Sequence, residues 1–557
     1  MKLLFTLLAM TAIVQAEISV CGTEELLPIG FTDEELTRLD EIGVNTISTS
    51  PPPVGTINPG EYDPATGIMV RWPLGLPWEL LISISSNTEL WVICTSAQQS
   101  TAEAALSGAG CNMANVGFIN AETNSIWVRD YGPWFVMLPD GSQGIFNYSY
   151  NRPRPLDNNF PVVIGAEWSI PVYTSTVIHT GGNYMSSGLG QSMSTDMVYL
   201  ENGGDEAWVN GQMEDYLGVS PYLTYADPQA TYIDHIDCWA KMLSPDRILI
   251  LQVPISNPNY AAIEAVADLI GSTPSPYGTP WKVYRVPSSG NEGYTNSLIS
   301  DGHVYLPVWD SSYDSGAFAV YEEALPGYTI EAFPYSGWLT TDALHCRTRN
   351  VMDNEMLLIE HTPVDPLQHA GVPVTVAARI RCNPANSLAV TEVAHRSGGS
   401  GPFTSLSMTS TGADSFTADI PGLPDGEQVE YYIRATDDSG RDEARPRYAP
   451  NTWFFEYETS STGIGGSTPF EGFTILQAAP NPFSGAVSIG YLSDSPRTVA
   501  LTVHDVCGRI VESHTLEAEA GAGSLEWTAD EALPPGIYVI RGVSGDITSQ
   551  RTVTLIR

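Results

Sequence analysis

An α/β domain followed by all-β modules is the architecture this sequence predicts, on three observations. Between about residues 20 and 360, strand-like runs ("ELWVICTS", "RILILQVPI", "HVYLPVW") alternate with helix-like ones such as "YAAIEAVADLIG". From about 361 onward the helical pattern stops and short alternating strands with turn signals take over, as in "VEYYIRATDDSG". The chain has 557 residues, too many for a single core, and its 43% hydrophobic and 16% charged content is that of a folded protein.

The opening stretch, "MKLLFTLLAMTAIVQA", joins a short basic end to an apolar run and a Val14-Gln15-Ala16 small-residue site. Residues 1–16 therefore read as a secretory signal peptide. Its apolar run is too short to span a bilayer comfortably, and no later stretch is long enough, so an exported protein with no transmembrane segment is expected. Residues 17–360 form the α/β domain. Residues 361–457 read as a β-sandwich of immunoglobulin type, and the Ser, Thr and Gly-rich "ETSSTGIGGSTPFEG" places a linker at 458–471.

The final unit, 472–557, again reads as small and all-β. Its Pro-Asn-Pro-Phe opening, its Val-His-Asp-Val-Cys-Gly-Arg strand and its Pro-Pro-Gly-Ile-Tyr-Val turn and strand resemble the C-terminal sorting domains of type IX-secreted bacterial proteins. That resemblance implies delivery to the outer surface or medium, with the bacterial secretion machinery as a partner.

Composition narrows the function. With 24 Lys plus Arg against 64 Asp plus Glu, the formal charge of −40 repels nucleic acid and anionic membranes and attracts cations. Seven cysteines cannot all pair within the chain, and without a CxxC they indicate neither a zinc site nor a dense disulfide framework. The leftover thiol is then either inert and buried or a nucleophile. No Asp-x-Asp-x-Asp-Gly calcium loop occurs.

Candidate chemistry lies in the first domain. "IWVRDYGPWF" places Trp127 and Asp130 at a strand end before a Gly132-Pro133 turn, where Asp130 taken alone reads as a turn cap. In "YIDHIDCWAKM", period-two alternation would aim His235 and Asp237 at one face and Tyr232 and Asp234 at the other. "YTNSLI" supplies Asn296, and "WLTTDALHCRTRNV" supplies Cys346 after His345. A catalytic cysteine needs a base or acid within reach, and His235 is the candidate.

Taken in order, Trp-x-Arg-Asp-x-Gly-Pro, the Gly-Gly-Asn of "HTGGNYMSSGLG", His-x-Asp, Tyr-Thr-Asn-Ser and Leu-His-Cys resemble the guanidino-group-modifying superfamily, whose bacterial branch holds agmatine deiminases and secreted peptidylarginine deiminases. The resemblance implies a pentein fold, a five-bladed α/β propeller with the site in its central channel. It also implies that Asp130 and Asp237 clamp the guanidinium, that His235 is acid and base, that Asn296 orients the site and that Cys346 is the nucleophile. Cys238 would be a bystander, and neither metal nor cofactor is called for.

A guanidinium is a planar cation with a fork of donors, so two carboxylates suit it. "YSYNRPRPLDNNF" adds Arg152 and Arg154, two apart in a Pro-punctuated segment and expected to point to one side. By resemblance to the secreted peptidylarginine deiminases, they and Tyr232 would hold the α-carboxylate of a C-terminal arginine, with Trp127 also lining the pocket. The function expected is conversion of peptide arginine, preferably C-terminal, to citrulline and ammonia. The alternatives are agmatine deiminase and an inactive surface-binding protein.

Overall fold

A computed structural model describes residues 26–460 except 413, and 473–555 except 480–482, 484, 494, 506–508, 519–520, 531–532, 535 and 546. The signal-peptide reading, Cys21, Cys507, the Pro-Asn-Pro of the last unit and most of the predicted linker lie outside the described residues. Among the described residues, no helix is long and apolar enough to cross a membrane.

Among the described residues, the first part of the chain is a mixed α/β fold with five small sheets, none of them closed. Each sheet repeats one plan: an antiparallel pair, then a third strand parallel to the second. The strands Trp134–Met137, Gln143–Tyr150 and Val172–His179 make one such sheet, with the helix Pro155–Trp168 carrying the parallel crossover. Ala240–Ser244, Arg247–Gln252 and Lys282–Pro287 make another, crossed by the helix Tyr260–Ser272. A parallel pair needs such a crossover, and an apolar helix face is the cheapest cover for the sheet. In Tyr260–Ser272 the buried residues Ile263, Val266, Ala267 and Ile270 recur at helical spacing.

The remaining three sheets follow suit. Met185–Ser186, Ser192–Thr195 and Tyr222–Tyr225 form one. Leu298–Ser300, His303–Val308 and Thr329–Pro334 form the next. The last closes the chain on itself: Arg349–Met352 pairs antiparallel with Ala65–Arg71, which continues in parallel to Glu89–Cys94 and Val116–Asn120.

Two all-β units follow. In the first, the sheet containing Val374–Arg381 faces the sheet containing Gln428–Asp437, and Val376, Ile380, Val393 and Ile433 pack between them. Its first strand is Leu358–Glu360, so the sandwich starts slightly ahead of the expected 361. At the far end, the strand Phe455–Ser460 runs into the segment read as linker, because Glu458 to Ser460 pair with Leu367 to His369. The last unit sets the sheet of Phe473–Ala479, Ala486–Ser493 and Gly521–Thr528 against a four-stranded sheet around Arg497–Asp505, over a core that includes Val487, Val499 and Trp527.

Candidate active site

Each of the five sheets is entered through a tight turn, and the candidate residues occupy those turns. Asp130 lies in the single helical turn Val128–Tyr131, ahead of the strand at Trp134. Gly182 and Asn183 lie in the 3₁₀ turn Gly181–Asn183, ahead of Met185. His235 begins, and Asp237 sits within, the 3₁₀ turn Ile236–Cys238 ahead of Ala240. Asn296 ends a turn closed by its own N–H on Gly293, just before Leu298. Cys346 is central in the 3₁₀ turn His345–Arg347, ahead of Arg349.

Hydrogen bonds join these turns in a ring. The N–H of Gly182 donates to Asp130 Oδ1 at 3.1 Å. Asn183 Oδ1 accepts from the N–H of Ile236 at 3.2 Å, and Thr295 Oγ1 donates to the carbonyl of Asp237 at 3.0 Å. Asn296 Oδ1 accepts from the N–H groups of Ala343 (3.0 Å) and Cys346 (3.3 Å), and Arg129 Nε donates to the carbonyl of His345 at 3.3 Å. Side chains fixed in this way need little reorganisation before reaction.

The ring brings Asp130, His235, Asp237, Asn296 and Cys346 together, each no more than 1% exposed. His235 Nδ1 is 3.7 Å from Asp130 Oδ1. Cys346 Sγ lies 3.2 Å from Asn296 Nδ2 and 3.8 Å from Asp237 Oδ2. Asp130 Oδ2 and both ring nitrogens of His235 are buried without a protein partner. Buried polar atoms are normally paired, so orphans on these two neighbouring side chains suit a polar ligand. An unpartnered carboxylate acceptor such as Asp130 Oδ2 suits a donor such as a guanidinium N–H.

Burial sets the resting charges. It raises the Asp130 carboxyl to about 7, with the neighbouring Asp237 charge adding to the effect. It lowers His235 to about 3 and pushes the Cys346 thiol well above its ordinary range, Asp237 and Asp130 reinforcing the latter. For Asp237, burial acts upward but is outweighed by the hydrogen bond and charge of His345, so its carboxyl is held low. Below about pH 7 the site thus holds one carboxylate, a neutral imidazole and a thiol. A bound cation favours ionisation of Asp130 and Cys346.

Two local readings from sequence need correction. Residues 232–238 are not a strand, so alternation does not explain the meeting of His235 and Asp237; a single 3₁₀ turn does. Asp130 is on a helical turn and not at a strand end, since Gly132 N–H returns to the Val128 carbonyl at 2.8 Å. The proposed carboxylate cradle is altered more deeply. Arg152 and Arg154 are not extended, because Arg154 N–H bends back to the Arg152 carbonyl at 2.7 Å.

Both arginines do turn to one side, but toward the chain's own N-terminal segment. Arg154 Nε and Nη2 grip Glu35 at 2.7 and 3.1 Å, and Arg152 Nε donates to the Ile29 carbonyl at 3.2 Å. Trp127 Nε1 donates to the Leu27 carbonyl at 3.0 Å. Tyr232 is 68% exposed, with its hydroxyl 3.3 Å from Thr341 Oγ1 at the rim. Cys238 is buried beside Asp237, 3.9 Å from Oδ1.

Sequence reasoning passed over Glu61, Arg129, Lys241 and His345 as functional groups. His345 spans two carboxylates, with Nδ1 2.7 Å from Asp237 Oδ2 and Nε2 2.5 Å from Glu61 Oε2. Glu61 is held in turn by Lys241 and by Arg129 Nη1 at 3.1 Å. The only sequence signal was adjacency, Arg129 beside Asp130 and His345 beside Cys346.

Residues 77–351, which contain the whole ring, match the family described as Porphyromonas-type peptidyl-arginine deiminase. That stretch is similar to a guanidino-modifying deiminase domain. The agmatine deiminases of Pseudomonas syringae pv. syringae and Pseudomonas putida are each 22% identical to this chain, covering 55% of it and 98% of their own length. A solved structure provisionally named agmatine deiminase is 18% identical, with a TM-score of 0.51 over 56% of this chain and 99% of that one. Those likenesses identify the pentein-type α/β fold of the first part of the chain; the relatives extend over little more than half of this chain.

Proposed function

We propose that this protein is a peptidylarginine deiminase, hydrolysing the guanidinium of peptide arginine to a ureido group and ammonia through a covalent intermediate on Cys346. The observation that carries this reading is the convergence of two carboxylates, an imidazole and a thiol around orphaned acceptors at a buried spot. We read the five sheets as blades of a propeller whose axis passes through the hydrogen-bonded ring.

Asp130 and Asp237 hold the guanidinium nitrogens by charge-assisted hydrogen bonds and leave the central carbon open. The bound cation favours transfer of the Cys346 proton to His235. The thiolate adds to the carbon, and the imidazolium returns its proton to a departing nitrogen, which leaves as ammonia. A thiouronium remains. Neutral His235 then takes a proton from attacking water, and the thiolate leaves as the ureido product forms. Asn296 Nδ2, 3.2 Å from the sulfur, donates to the developing thiolate.

Export by the N-terminal segment and the C-terminal unit belongs to the same proposal. It favours peptides and proteins ending in arginine as substrates over a metabolite kept inside the cell. The second reading, agmatine deiminase, is favoured by one observation: Glu35 already occupies Arg154, the residue meant for a substrate carboxylate. Ammonia release from a peptide ending in free arginine, its C-terminal amide and agmatine separates the two. We expect the free-acid peptide to give the highest kcat/KM; agmatine as the best of the three would overturn the peptide assignment.

A further inference from the structure

The segment 27–35 lies along the residues read as substrate-binding, as a bound peptide would. Four consecutive backbone carbonyls, Leu27 to Gly30, are each taken by a donor from Trp127, Arg152 or Arg154, at 2.8 to 3.2 Å. These are three of the four residues read as substrate-binding. The fourth, Tyr232, packs its ring against Gly30 so closely that an added Cβ there would lie 2.8 Å from Cε2. Ile29 is 1% exposed and belongs to the apolar cluster that includes Trp127 and Cys346. Phe31 stacks on the Arg152 guanidinium, 4.4 Å from its ring centre.

At the end of this strap the Glu35 carboxylate is seated in the fork of Arg154, with side chains 7% and 1% exposed. Only Arg154 Nη1 is left without a partner. A second carboxylate therefore finds the bidentate face taken. A bland account exists, since Thr32 and Glu35 also exchange reciprocal side-chain hydrogen bonds with each other's backbone, at 2.8 and 3.1 Å, as a helix-capping pair does. Capping explains one Glu35 oxygen. It does not explain why the strap engages the substrate-binding residues one after another.

We infer that the strap 27–35 is an intramolecular competitor of the substrate, and that Glu35 holds on Arg154 the place of a C-terminal arginine's carboxylate. This rests on the peptidylarginine reading above. Substrates bearing an α-carboxylate displace Glu35, so Glu35 determines how strongly the enzyme distinguishes them from amidated peptide or agmatine. Opening the strap serves every substrate, whereas the vacated fork of Arg154 serves only a carboxylate.

The test compares the full chain with Glu35→Gln and Glu35→Asp on a peptide ending in free arginine, its C-terminal amide and agmatine. Glu35→Gln is expected to raise the acid-to-amide ratio of kcat/KM by about tenfold or more, through KM, the equivalent of one charge-assisted hydrogen bond. Glu35→Asp, which keeps the charge, restores the wild-type ratio. An unchanged ratio in active enzyme sinks the competitor and leaves Glu35 a capping residue. Failure of all three substrates with wild-type protein sinks instead the functional reading on which the inference rests.

A second measurement avoids altering the strap. In Cys346→Ala protein, amide hydrogen exchange at 27–35 should speed up on adding the free-acid peptide and change less with its amide. Exchange equal with and without the acid would overturn the proposal.

Discussion

Cys346 and Cys238 are both buried thiols beside Asp237, yet only Cys346 has an amide donor, Asn296 Nδ2, on its sulfur. Cys346→Ala is therefore expected to abolish ammonia release while Cys238→Ala keeps most of it, as a turnover assay on both variants will read. Asp130 gives a pH dependence whose sign follows from its raised value. Below about 7 the carboxyl is neutral and a poor partner for a guanidinium; above it the carboxylate clamps the cation. KM should thus fall as pH rises through about 7, and Asp130→Asn should flatten that limb at low activity. Glu61 touches no substrate in the proposed mechanism. It positions His345, which positions Asp237, so Glu61→Gln should shift the pH profile and lower kcat, with Glu61→Asp partly restoring both.

At the scale of single elements, the Gly181–Asn183 turn shows how tightly the ring is built. A Cβ added to Gly182 would stand 2.6 Å from His235 Nδ1 and 2.7 Å from Asp130 Oδ1. Gly182→Ala must displace one of them, and a loss of kcat of about a hundredfold is expected, since small misplacements of reacting groups carry penalties of that order. Thermal unfolding of the same variant should change far less than its kcat. The five turns also mark what was readable beforehand. "ELWVICTS", "RILILQVPI" and "YAAIEAVADLIG" became the strands and helix expected, because hydrophobic periodicity is a local signal. Asp130, His235, Asp237, Asn296 and Cys346 carried visible motifs. Their common station, one turn ahead of each sheet, was hidden because every turn is only a few residues long and differently composed. Glu61 and Glu35 stayed unread because their partners lie far along the chain, at His345 and Arg154, and nothing local distinguishes them from surface acids.

On the scale of the whole molecule, the β-sandwich reaches back to the site through two arginines. Arg445 donates to Asp63 at 3.1 Å and to the Ile359 carbonyl at 3.0 Å, while Arg447 donates to the Tyr62 carbonyl at 2.6 Å. Asp63 in turn accepts from the N–H of Gly60 at 2.8 Å, so the loop that carries Glu61 is fixed from the sandwich. The Arg445 and Asp63 side chains are 6% and 1% exposed. Arg445→Met keeps the volume but leaves Asp63 buried and uncompensated, at a cost of about 3–5 kcal/mol. Urea unfolding should register that loss together with a drop in kcat; full activity at normal stability would show that the sandwich is a passenger.

The high-pKa sulfur of Cys346 has a further consequence, for chemical durability. A buried neutral thiol is a poor target for alkylating or oxidising reagents, so the resting protein is insulated at this atom. In the proposed mechanism a planar cation brings out the reactive form, which makes charge a selection rule for inactivators. A haloacetamidine should therefore modify Cys346 much faster than the matching neutral haloacetamide, as mass spectrometry of the labelled protein will show, while equal rates would mean that the sulfur is already ionised at rest.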